Sequence, residues 1–499
     1  MDSLKEIWFL TGSQHLYGEE TLKQVEVNSK EVASGLAKEV KAPVKIVFKS
    51  VLTTPDAIRR ICLDANSSDN CIGLITWMHT FSPSKMWIAG LKVLQKPFVH
   101  LHTQFNRDIP WNEIDMDFMN LNQSAHGGRE FGFINALMGI DRKVIAGHWQ
   151  DPEVIGDLDN WIRAALGKNE LQHLKVARFG DNMRNVAVTE GNKVTAEIFF
   201  GVDVRGFGVG DLVEHVNAVT DADLANLLSI YKEEYTIADS DMNDEDYNNS
   251  IKEAGRIELG IKSFLDEGGF KAFTTTFEDL HGLVQLPGLG VQRLMAQGYG
   301  FAGEGDWKTA ALVRVTKVMA EGLEGGTSFM EDYTYHFDPT KMQVLGAHML
   351  EICPSIAGDK PSLEVHPLGI GGKADPARLV FNGTPGKGLN VALMDMGNRY
   401  RMLVNTVEAV ENPELPSLPV ARVLWNPMPD LKTAASSWIL AGGSHHTSFS
   451  QALTLDHIVD LAEMLGIECL VIDNKTEIRS FKTEIRTNEM YYGAVKGIR

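Results

Sequence analysis

Cysteine, long apolar runs and positive charge are all scarce in this sequence. Only four cysteines occur, far apart and without a CxxC pair, so we expect neither disulfides nor a zinc knot. No apolar stretch is long enough for a membrane helix, and the run Ile7–Leu10 is too short for a signal-peptide core. Acidic residues outnumber basic ones by 66 to 47, and the net charge of −19 disfavours nucleic acids and anionic membranes as partners. These absences predict a cytoplasmic globular protein that binds a neutral ligand in a pocket.

The common phosphate-binding motifs are missing as well. No GxGxxG follows the first predicted strand, and no GxxxxGK[ST] occurs anywhere. A dinucleotide site and a P-loop nucleotide site are therefore unsupported.

The first third of the chain alternates between apolar strands and amphipathic helices. Such alternation predicts a parallel, doubly wound sheet, which is a Rossmann-like fold without the cofactor. Ligands bind beyond the carboxyl ends of the strands in sheets of this kind. The polar residues that follow these strands are Gln14, His79, Thr80, His102 and Gln104. The predicted strands are Ile7–Thr11, Val44–Val51, Ile72–Met78 and Phe98–His102, and the predicted helices are Glu19–Val40, Pro55–Ala65 and Ser84–Leu94.

A second α/β region and a β-rich region follow. The strand Val176–Phe179 and the helices Asp221–Glu234 and Ser250–Glu267 predict another parallel sheet. Beyond residue 326, short alternating segments between turn residues predict a barrel or sandwich. We therefore expect two Rossmann-like α/β domains followed by a β-rich, barrel-like domain, with boundaries at 1–172, 173–325 and 326–499. The acidic run Asp239–Asp246 lacks the glycine and final glutamate of a calcium loop, so we interpret it as a solvated loop.

One glutamate occupies an unusual position between two glycines. Gly303 and Gly305 flank Glu304, and Asp306 is placed to cap a helix predicted over Trp307–Ala320. A catalytic carboxylate and a loop glutamate that accepts backbone hydrogen bonds are both compatible with this pattern. His126, which precedes two glycines, is open to the same two interpretations.

A mixed set of oxygen and nitrogen donors can be assembled around Glu304. The β-rich region supplies Glu331, His348 and the pair His445-His446. Two carboxylates and two imidazoles suit an octahedral Mn²⁺, Co²⁺ or Fe²⁺ more than a closed zinc site, and they leave two positions for vicinal sugar oxygens. Such a site could carry out aldose-ketose isomerisation. Spacing does not single out this set, because 15 histidines and 66 acidic residues offer many combinations.

Long strings of the sequence closely resemble the L-arabinose isomerase family over virtually the whole chain. They occur in the family's order, and Ser444 is the one visible departure, at a position where alanine is expected. The strings are LTGSQHLYG at Leu10, LHTQFNRDIPW at Leu101, LNQSAHGGREFGF at Leu121, FAGEGDWKTAALVR at Phe301, GTSFMEDYTYHF at Gly326, VLGAHMLEICPSI at Val344, GGSHHTSFS at Gly442 and the terminal NEMYYG.

The resemblance implies an enzyme of L-arabinose catabolism that interconverts L-arabinose and L-ribulose, with D-galactose and D-tagatose as a slower pair. It implies one Mn²⁺ per subunit, replaceable by Co²⁺ or Fe²⁺, with Glu304, Glu331, His348 and His446 as ligands. Glu304 and Glu331 would also be the acid/base pair that moves a proton through a cis-enediol.

The resemblance further implies a homotrimer or homohexamer whose active sites are completed across a subunit boundary. Residues of the first domain, His126 among them, would then serve the neighbouring subunit. By residue type alone, Met183, Phe277, Phe329 and Ile370 would more often be core residues than pocket walls. The implied substrate contacts are Gln14, Leu16, Gln123, His126, Met183, Phe277, Phe329 and Ile370, with His445 beside the metal.

Two other classes of function are compatible with parts of the sequence. A non-catalytic sugar-binding protein of two α/β lobes suits the first half of the chain, but not the β-rich region with its carboxylates and histidines. A metal-dependent lyase or aldolase would use the same stabilised enediolate. Product analysis separates them, since an isomerase gives a ketose of unchanged formula and an aldolase gives fragments.

Overall fold

The computed structural model describes residues 4–238, 241 and 243–496, which form two compact units. The first unit comprises residues up to 169 together with 459–464, and the second comprises 170–458 and residues from 465 onward. Residues 239, 240 and 242 of the acidic run lie outside the described residues.

A five-stranded parallel sheet forms the centre of the first unit. Its strand order is β2-β1-β3-β4-β5, so the order reverses beside β1 and creates a crevice at the carboxyl ends of β1 and β3. The strand β3 is buried along its whole length, as expected for a sheet covered on both faces. The short strand β5 was not predicted. The strands are β1 (Lys5–Gly12), β2 (Val44–Leu52), β3 (Cys71–Met78), β4 (Phe98–His102) and β5 (Lys143–Ala146).

The helices between these strands confirm the predicted alternation with shifted bounds. The predicted helix Ser84–Leu94 is wrong in part, because Ser84–Trp87 is a 3-10 turn and only the residues after it are α-helical. The last helix is continuous from Pro152 to His173. The helices are α1 (Gly18–Glu39), α2 (Pro55–Ser67), α3 (Ile88–Val93), α4 (Met116–Leu121), α5 (Ser124–Leu137) and α6 (Pro152–His173).

Buried polar groups join the loops at the rim of this first sheet. Ser13 Oγ, after β1, lies 2.8 Å from Thr80 Oγ1, after β3. His79 is fully buried, with Nε2 2.9 Å from the amide nitrogen of Asn28 and its ring stacked 4.3 Å from that of Trp77. The polar rim predicted here is thus present, but these side chains bond to one another.

The second unit begins with a four-stranded parallel sheet of order β7-β6-β8-β9. Helix α12 begins directly after the Glu304 turn, and Asp306 caps it by accepting a hydrogen bond from Thr309 N, as predicted. The strands are β6 (Lys175–Phe179), β7 (Asp203–Phe207), β8 (Ala272–Thr275) and β9 (Gly300–Ala302). The helices are α7 (Lys193–Phe200), α8 (Val209–Asn217), α9 (Asp221–Glu234), α10 (Glu245–Gly268), α11 (Gly288–Ala296) and α12 (Trp307–Met319).

Six antiparallel strands then close into a barrel of order β14-β17-β10-β11-β16-β15, because β14 also pairs with β15. Closure leaves no open edge. Strand β18 lies parallel beside β15, and β12 pairs with β13. The strands are β10 (Thr327–His336), β11 (Gln343–Ala347), β12 (Ser362–Val365), β13 (Ala377–Val380), β14 (Gly386–Asp395), β15 (Tyr400–Val410), β16 (Arg422–Pro427), β17 (His446–Ser450) and β18 (Glu468–Ile472). The remaining helices are α13 (Leu431–Leu440), α14 (Leu455–Leu465) and α15 (Ile478–Tyr491).

One hydrophobic core joins the helices of the parallel sheet to the barrel. Tyr231 of α9 and Leu289 of α11 are buried in the same cluster as Met330, Trp425 and Phe449 of the barrel strands. Burying side chains of this size contributes about 1.5–3 kcal/mol each. The position of the barrel against the parallel sheet is therefore fixed by packing.

Two parallel α/β regions followed by a closed barrel confirm the predicted fold class. The boundaries at 172/173 and 325/326 stay a prediction. Among the described residues, no helix combines the length and the apolar character that a membrane crossing requires.

Candidate metal and active site

Glu304 lies on a strained turn after β9. Its φ is +59°, in the left-handed region that residues with side chains avoid, and Gly305 follows with φ +76°. Such a conformation costs about 1–3 kcal/mol and persists only where neighbours enforce it. Here Glu304 O accepts from Met183 N at 3.0 Å, and Gly305 N donates to Thr275 O at 3.1 Å.

Strand pairing in the barrel brings three further candidates together. Strand β10 lies between β11 and β17, and its Glu331 is in register with Ala347 on one side and His446 on the other. His348 follows Ala347 directly. Residues opposite each other on neighbouring strands have Cβ atoms about 4.5–5.5 Å apart. The barrel register therefore makes Glu331, His348 and His446 neighbours.

The carboxylates and imidazoles face each other at short distances. Nε2 of His348 lies 3.9 Å from Glu331 Oε2, and Nε2 of His446 lies 3.9 Å from Glu304 Oε2. The two imidazole rings are 5.9 Å apart. Nε2 of His445 lies 3.3 Å from Glu304 Oε2. All four predicted ligands and His445 thus belong to one cluster within the second unit.

Two more carboxylates fix the orientation of the imidazoles. Glu351 Oε2 lies 2.5 Å from Nδ1 of His348, and Asp306 Oδ2 lies 3.3 Å from Nδ1 of His446. A carboxylate at Nδ1 holds the proton on that nitrogen and leaves the Nε2 lone pair for a ligand. Both imidazoles therefore turn Nε2 toward the glutamates.

Phe329 fills the space between the two imidazoles. Its ring centroid is 4.9 Å from that of His348 and 4.9 Å from that of His446, both in edge-on contact. The side chain is fully buried. Its aromatic ring therefore fixes the position of both histidines, and its role as a substrate contact stays a prediction.

Burial and charge oppose each other throughout the cluster. Burial disfavours the imidazolium of His348, but carboxylates led by Glu351 outweigh it and raise its pKa. Burial dominates at His446 and lowers its pKa. Burial disfavours the charged form of Glu304, but the hydrogen bond with His445 and nearby imidazoles lower its pKa overall. The glutamate is thus ionised at neutral pH, as a ligand must be.

The donors present fit a divalent cation. Nε2 of His446 is buried and has no hydrogen-bond partner within the described part of the chain, an arrangement that costs about 1–3 kcal/mol if nothing binds there. Ligand atoms of Glu304, His445 and His446 all lie within 4.8 Å of one another. His445, expected beside the metal, is therefore close enough to be a donor itself.

A cavity that is open to solvent lies beside the cluster. Glu304 and His348 line it together with the predicted substrate contact Phe277. Met183 is tied to the Glu304 turn through its backbone. Ile370 lies between β12 and β13 with its side chain 39% exposed.

The other predicted substrate contacts belong to the first unit. Tyr17 donates a hydrogen bond to Gln123 Oε1 at 2.6 Å, and the ring of Phe81 lies 4.4 Å from that of His126. Gln14 is partly exposed, and Leu16 is 83% exposed. Exposed side chains at these positions are available to a ligand or another chain.

The sequence did not predict the residues that orient the two candidate ligand histidines. Asp306 was predicted only as a helix cap, and its contact with His446 depends on strand β17, which was not predicted. Glu351 was not singled out, although it lies three residues after His348 in the string HMLE. A carboxylate close to a candidate ligand histidine is the signal that would have indicated it.

Comparisons with known proteins agree with the fold. Three family models match in order: the L-arabinose isomerase N-terminal domain over residues 2–173, the central domain over 175–322 and the C-terminal domain over 326–468. The L-arabinose isomerase of Herpetosiphon aurantiacus is 62% identical over 494 residues, which is 99% of each chain. That of Anoxybacillus flavithermus is 60% identical over 99% of this chain and 98% of its own, and that of Klebsiella pneumoniae is 58% identical over 98% of both.

A solved ABC sugar transporter, a periplasmic sugar binding protein from Legionella pneumophila, is 12% identical with a TM-score of 0.13. The alignment covers 64% of this chain and 95% of the transporter. A likeness this weak carries no argument.

The fold, the cluster and the full-length matches define an enzyme of the isomerase class. The resemblance carried by the sequence strings is confirmed over all three regions. The chain belongs to the L-arabinose isomerase family.

Proposed function

We propose that this isomerase interconverts L-arabinose and L-ribulose in L-arabinose catabolism, in the cytoplasm, with D-galactose and D-tagatose as a slower pair. The observation that carries the proposal is the facing arrangement of two carboxylates and two imidazoles, each imidazole with Nε2 toward a glutamate. The names of the matched relatives support the choice of sugar.

Glu304, Glu331, His348 and His446 would hold one Mn²⁺ per subunit, with Co²⁺ or Fe²⁺ as substitutes. Two oxygen and two nitrogen donors suit an octahedral ion of this hardness and leave two positions for vicinal sugar oxygens. A divalent cation bound here polarises the sugar carbonyl and stabilises the negative charge that develops on its oxygen.

The two glutamates would also move the proton. Conversion of the aldose to the ketose transfers a proton from C2 to C1 through a cis-enediol, so a carboxylate must accept that proton and return it. Glu304 is held on a rigid turn, and His445 Nε2 lies 3.3 Å from its Oε2. A carboxylate that binds a cation tightly has a lowered pKa, so the one that serves as base is the more loosely bound.

The sugar would contact Met183, Phe277, Phe329, Ile370 and His445 of its own subunit. Gln14, Leu16, Gln123 and His126 would serve the site of a neighbouring subunit in a homotrimer or homohexamer. Large exposed apolar side chains of the first unit, Trp111 at 79% and Met116 at 64%, support an interface there. The three domains would be residues 1–172, 173–325 and 326–499.

One experiment tests substrate, metal and mechanism together. The protein is stripped with EDTA, restored with Mn²⁺ and incubated with L-arabinose in D₂O, and the products are followed by NMR. We expect L-ribulose only with metal, carrying solvent deuterium at C1. Absence of any ketose with any divalent metal would overturn the proposal, and fragments in place of a ketose would indicate an aldolase.

A matched pair of variants tests the assignment of the donors. His348→Gln should abolish Mn²⁺ binding and ketose formation. The control is His366→Gln. His366 is a partly exposed histidine whose Nε2 lies 2.6 Å from Oε2 of Glu364. Its replacement should leave Mn²⁺ binding and ketose formation unchanged. Equal Mn²⁺ binding by the two variants would remove His348 from the donor set.

A further inference from the structure

Lys308, the second residue of helix α12, is a buried cation with all its donors satisfied. The side chain is 1% exposed. Its ammonium donates to Thr189 O at 2.8 Å, Glu190 O at 2.7 Å and Asp306 Oδ1 at 3.0 Å. An ammonium has three N–H donors, so these three acceptors complete its hydrogen bonding.

This is an unfavourable place for a lysine. The first turn of a helix carries a partial positive charge that repels cations, and burying an ammonium is costly unless it is paired and hydrogen-bonded. Asp306 supplies the counter-charge and is itself fully buried. The pair is therefore interdependent, since removal of one member leaves an uncompensated charge in the interior.

On one side, Lys308 acts on a predicted metal ligand through Asp306. The two oxygens of Asp306 divide their partners: Oδ1 accepts from Lys308, whereas Oδ2 lies 3.3 Å from Nδ1 of His446 and accepts from Thr309 Oγ1 at 2.7 Å. Lys308 and Thr309 thus hold the carboxylate from two directions. The orientation of this carboxylate determines whether Oδ2 lies within hydrogen-bond distance of Nδ1 of His446.

On the other side, Lys308 holds the segment 181–191, which carries Met183. Thr189 O accepts from both Lys308 and the side chain of Asn182, which also donates to Gly305 O at 3.2 Å. The fit is close, because a Cβ on Gly191 would lie 3.0 Å from Lys308 Cδ. Residues 189–191 therefore pack directly against the lysine, and Asn182 links them to the start of the segment.

We propose that Lys308 is a positioning residue that orients His446 through Asp306 and couples metal binding to the order of segment 181–191. The inference rests on the proposed function for the metal, and it adds a role for a residue that touches neither metal nor sugar. Occupancy of the metal site should stiffen the segment that carries the substrate contact Met183.

The first test measures Mn²⁺ affinity from the EPR signal of the free ion. Lys308→Met should weaken binding about 10- to 100-fold, the size of effect expected when a group that supports a ligand histidine is lost. Lys317→Met is the matched control, because Lys317 lies on the same helix and donates to Thr327 O at 2.6 Å, away from Asp306. The control should bind Mn²⁺ as wild type does.

A double mutant distinguishes positioning from general destabilisation. If Lys308 acts through Asp306, then Lys308→Met combined with Asp306→Asn should bind Mn²⁺ within about 3-fold of Asp306→Asn alone, because residues of one network are not additive. Losses that multiply would overturn the proposal. Binding by Lys308→Met within about 3-fold of wild type would overturn it too, since supporting groups of this kind change affinity by 10-fold or more.

Amide hydrogen exchange of the wild-type protein provides a test of the coupling that does not depend on a variant folding, and the two lysine variants extend it. Adding Mn²⁺ to wild type should slow exchange in peptides covering 181–191, and Lys308→Met should lose that response while Lys317→Met keeps it. Mn²⁺ that binds wild type without slowing this segment would overturn the coupling. Wild type that binds no Mn²⁺ by EPR would instead overturn the proposed metal site, and the inference with it.

Discussion

The rims of the two parallel sheets use polar side chains in opposite ways. In the first unit, Ser13, His79 and Thr80 are fully buried and bond to neutral neighbours. In the second, Glu304 lies on a strained turn beside an open cavity, with Nε2 of His445 and of His446 at 3.3 and 3.9 Å from its Oε2. The carboxyl ends of parallel strands thus carry a hydrogen-bonded junction in one sheet and a candidate functional group in the other. The chemistry of the side chains and the space beside them decide which.

The largest expected contrast concerns Glu304. Glu304→Gln keeps the shape of the side chain and removes its ability to accept a proton, so turnover should fall at least about 10³-fold, within the range for loss of a general acid or base. The rate of ketose formation at saturating sugar and Mn²⁺ measures it. If the variant keeps activity within about 10-fold of wild type, the proton is transferred by other groups.

Glu351 should matter for metal affinity more than for folding. Glu351→Gln replaces the carboxylate that is hydrogen-bonded to Nδ1 of His348 with a neutral amide. Mn²⁺ affinity should therefore fall about 10- to 100-fold. Calorimetric titration with Mn²⁺ measures the change, with circular dichroism as the check on folding. Unaltered affinity in a folded variant would show that Phe329 packing alone positions the histidine.

At the rim of the first sheet, the expected loss is one of stability. Thr80→Val keeps the volume but leaves Ser13 Oγ without its partner, so the free energy of unfolding should fall by about 1–2 kcal/mol. Urea denaturation measures it, and Mn²⁺ affinity should stay unchanged. If Thr80→Val lowered Mn²⁺ affinity as much as Glu351→Gln does, the rim of the first sheet would not be purely structural, and the contrast between the two rims would be wrong.

The smallest expected effect is the contribution of His79 to the pH dependence of the free energy of unfolding. Burial lowers its pKa from 6.5 to about 4, so the unfolded chain binds more protons between these values and stability falls as pH falls. The loss from this group between pH 7 and pH 6 should be about 0.7 kcal/mol. His79→Gln should reduce the pH dependence of urea unfolding by that amount. Equal pH dependence in variant and wild type would contradict the buried neutral histidine.

The sequence predicted the parallel regions well because their signals are local. Strand β4 and helix α9 were predicted with the observed bounds, since apolar runs and helical periodicity lie within a few residues. Strand β17, HTSFS, was missed because its buried residues are mostly polar. Strands β5 and β7 were missed because they lie at the edges of their sheets and lack the buried apolar run that marks β4.

The site was less accessible to reasoning from residues alone. Glu331 and His446 become neighbours only through the register of β10 with β17, which no local pattern specifies. The four proposed ligands were named through family resemblance. The orienting residues Asp306 and Glu351, and the saturated ammonium of Lys308, become visible only once side chains are placed in space.

The donors of the cluster come from two kinds of sheet, Glu304 from the turn after a parallel strand and the others from the barrel. All of them lie within the second compact unit. Neither sheet can assemble the cluster alone, so a bound ion reports on the folding of that unit as a whole. An ion that binds only the native state adds RT ln(1 + [M]/Kd) to its stability. Metal supply would therefore raise the melting temperature of the second unit, which is the larger part of the chain, without a direct effect on the first.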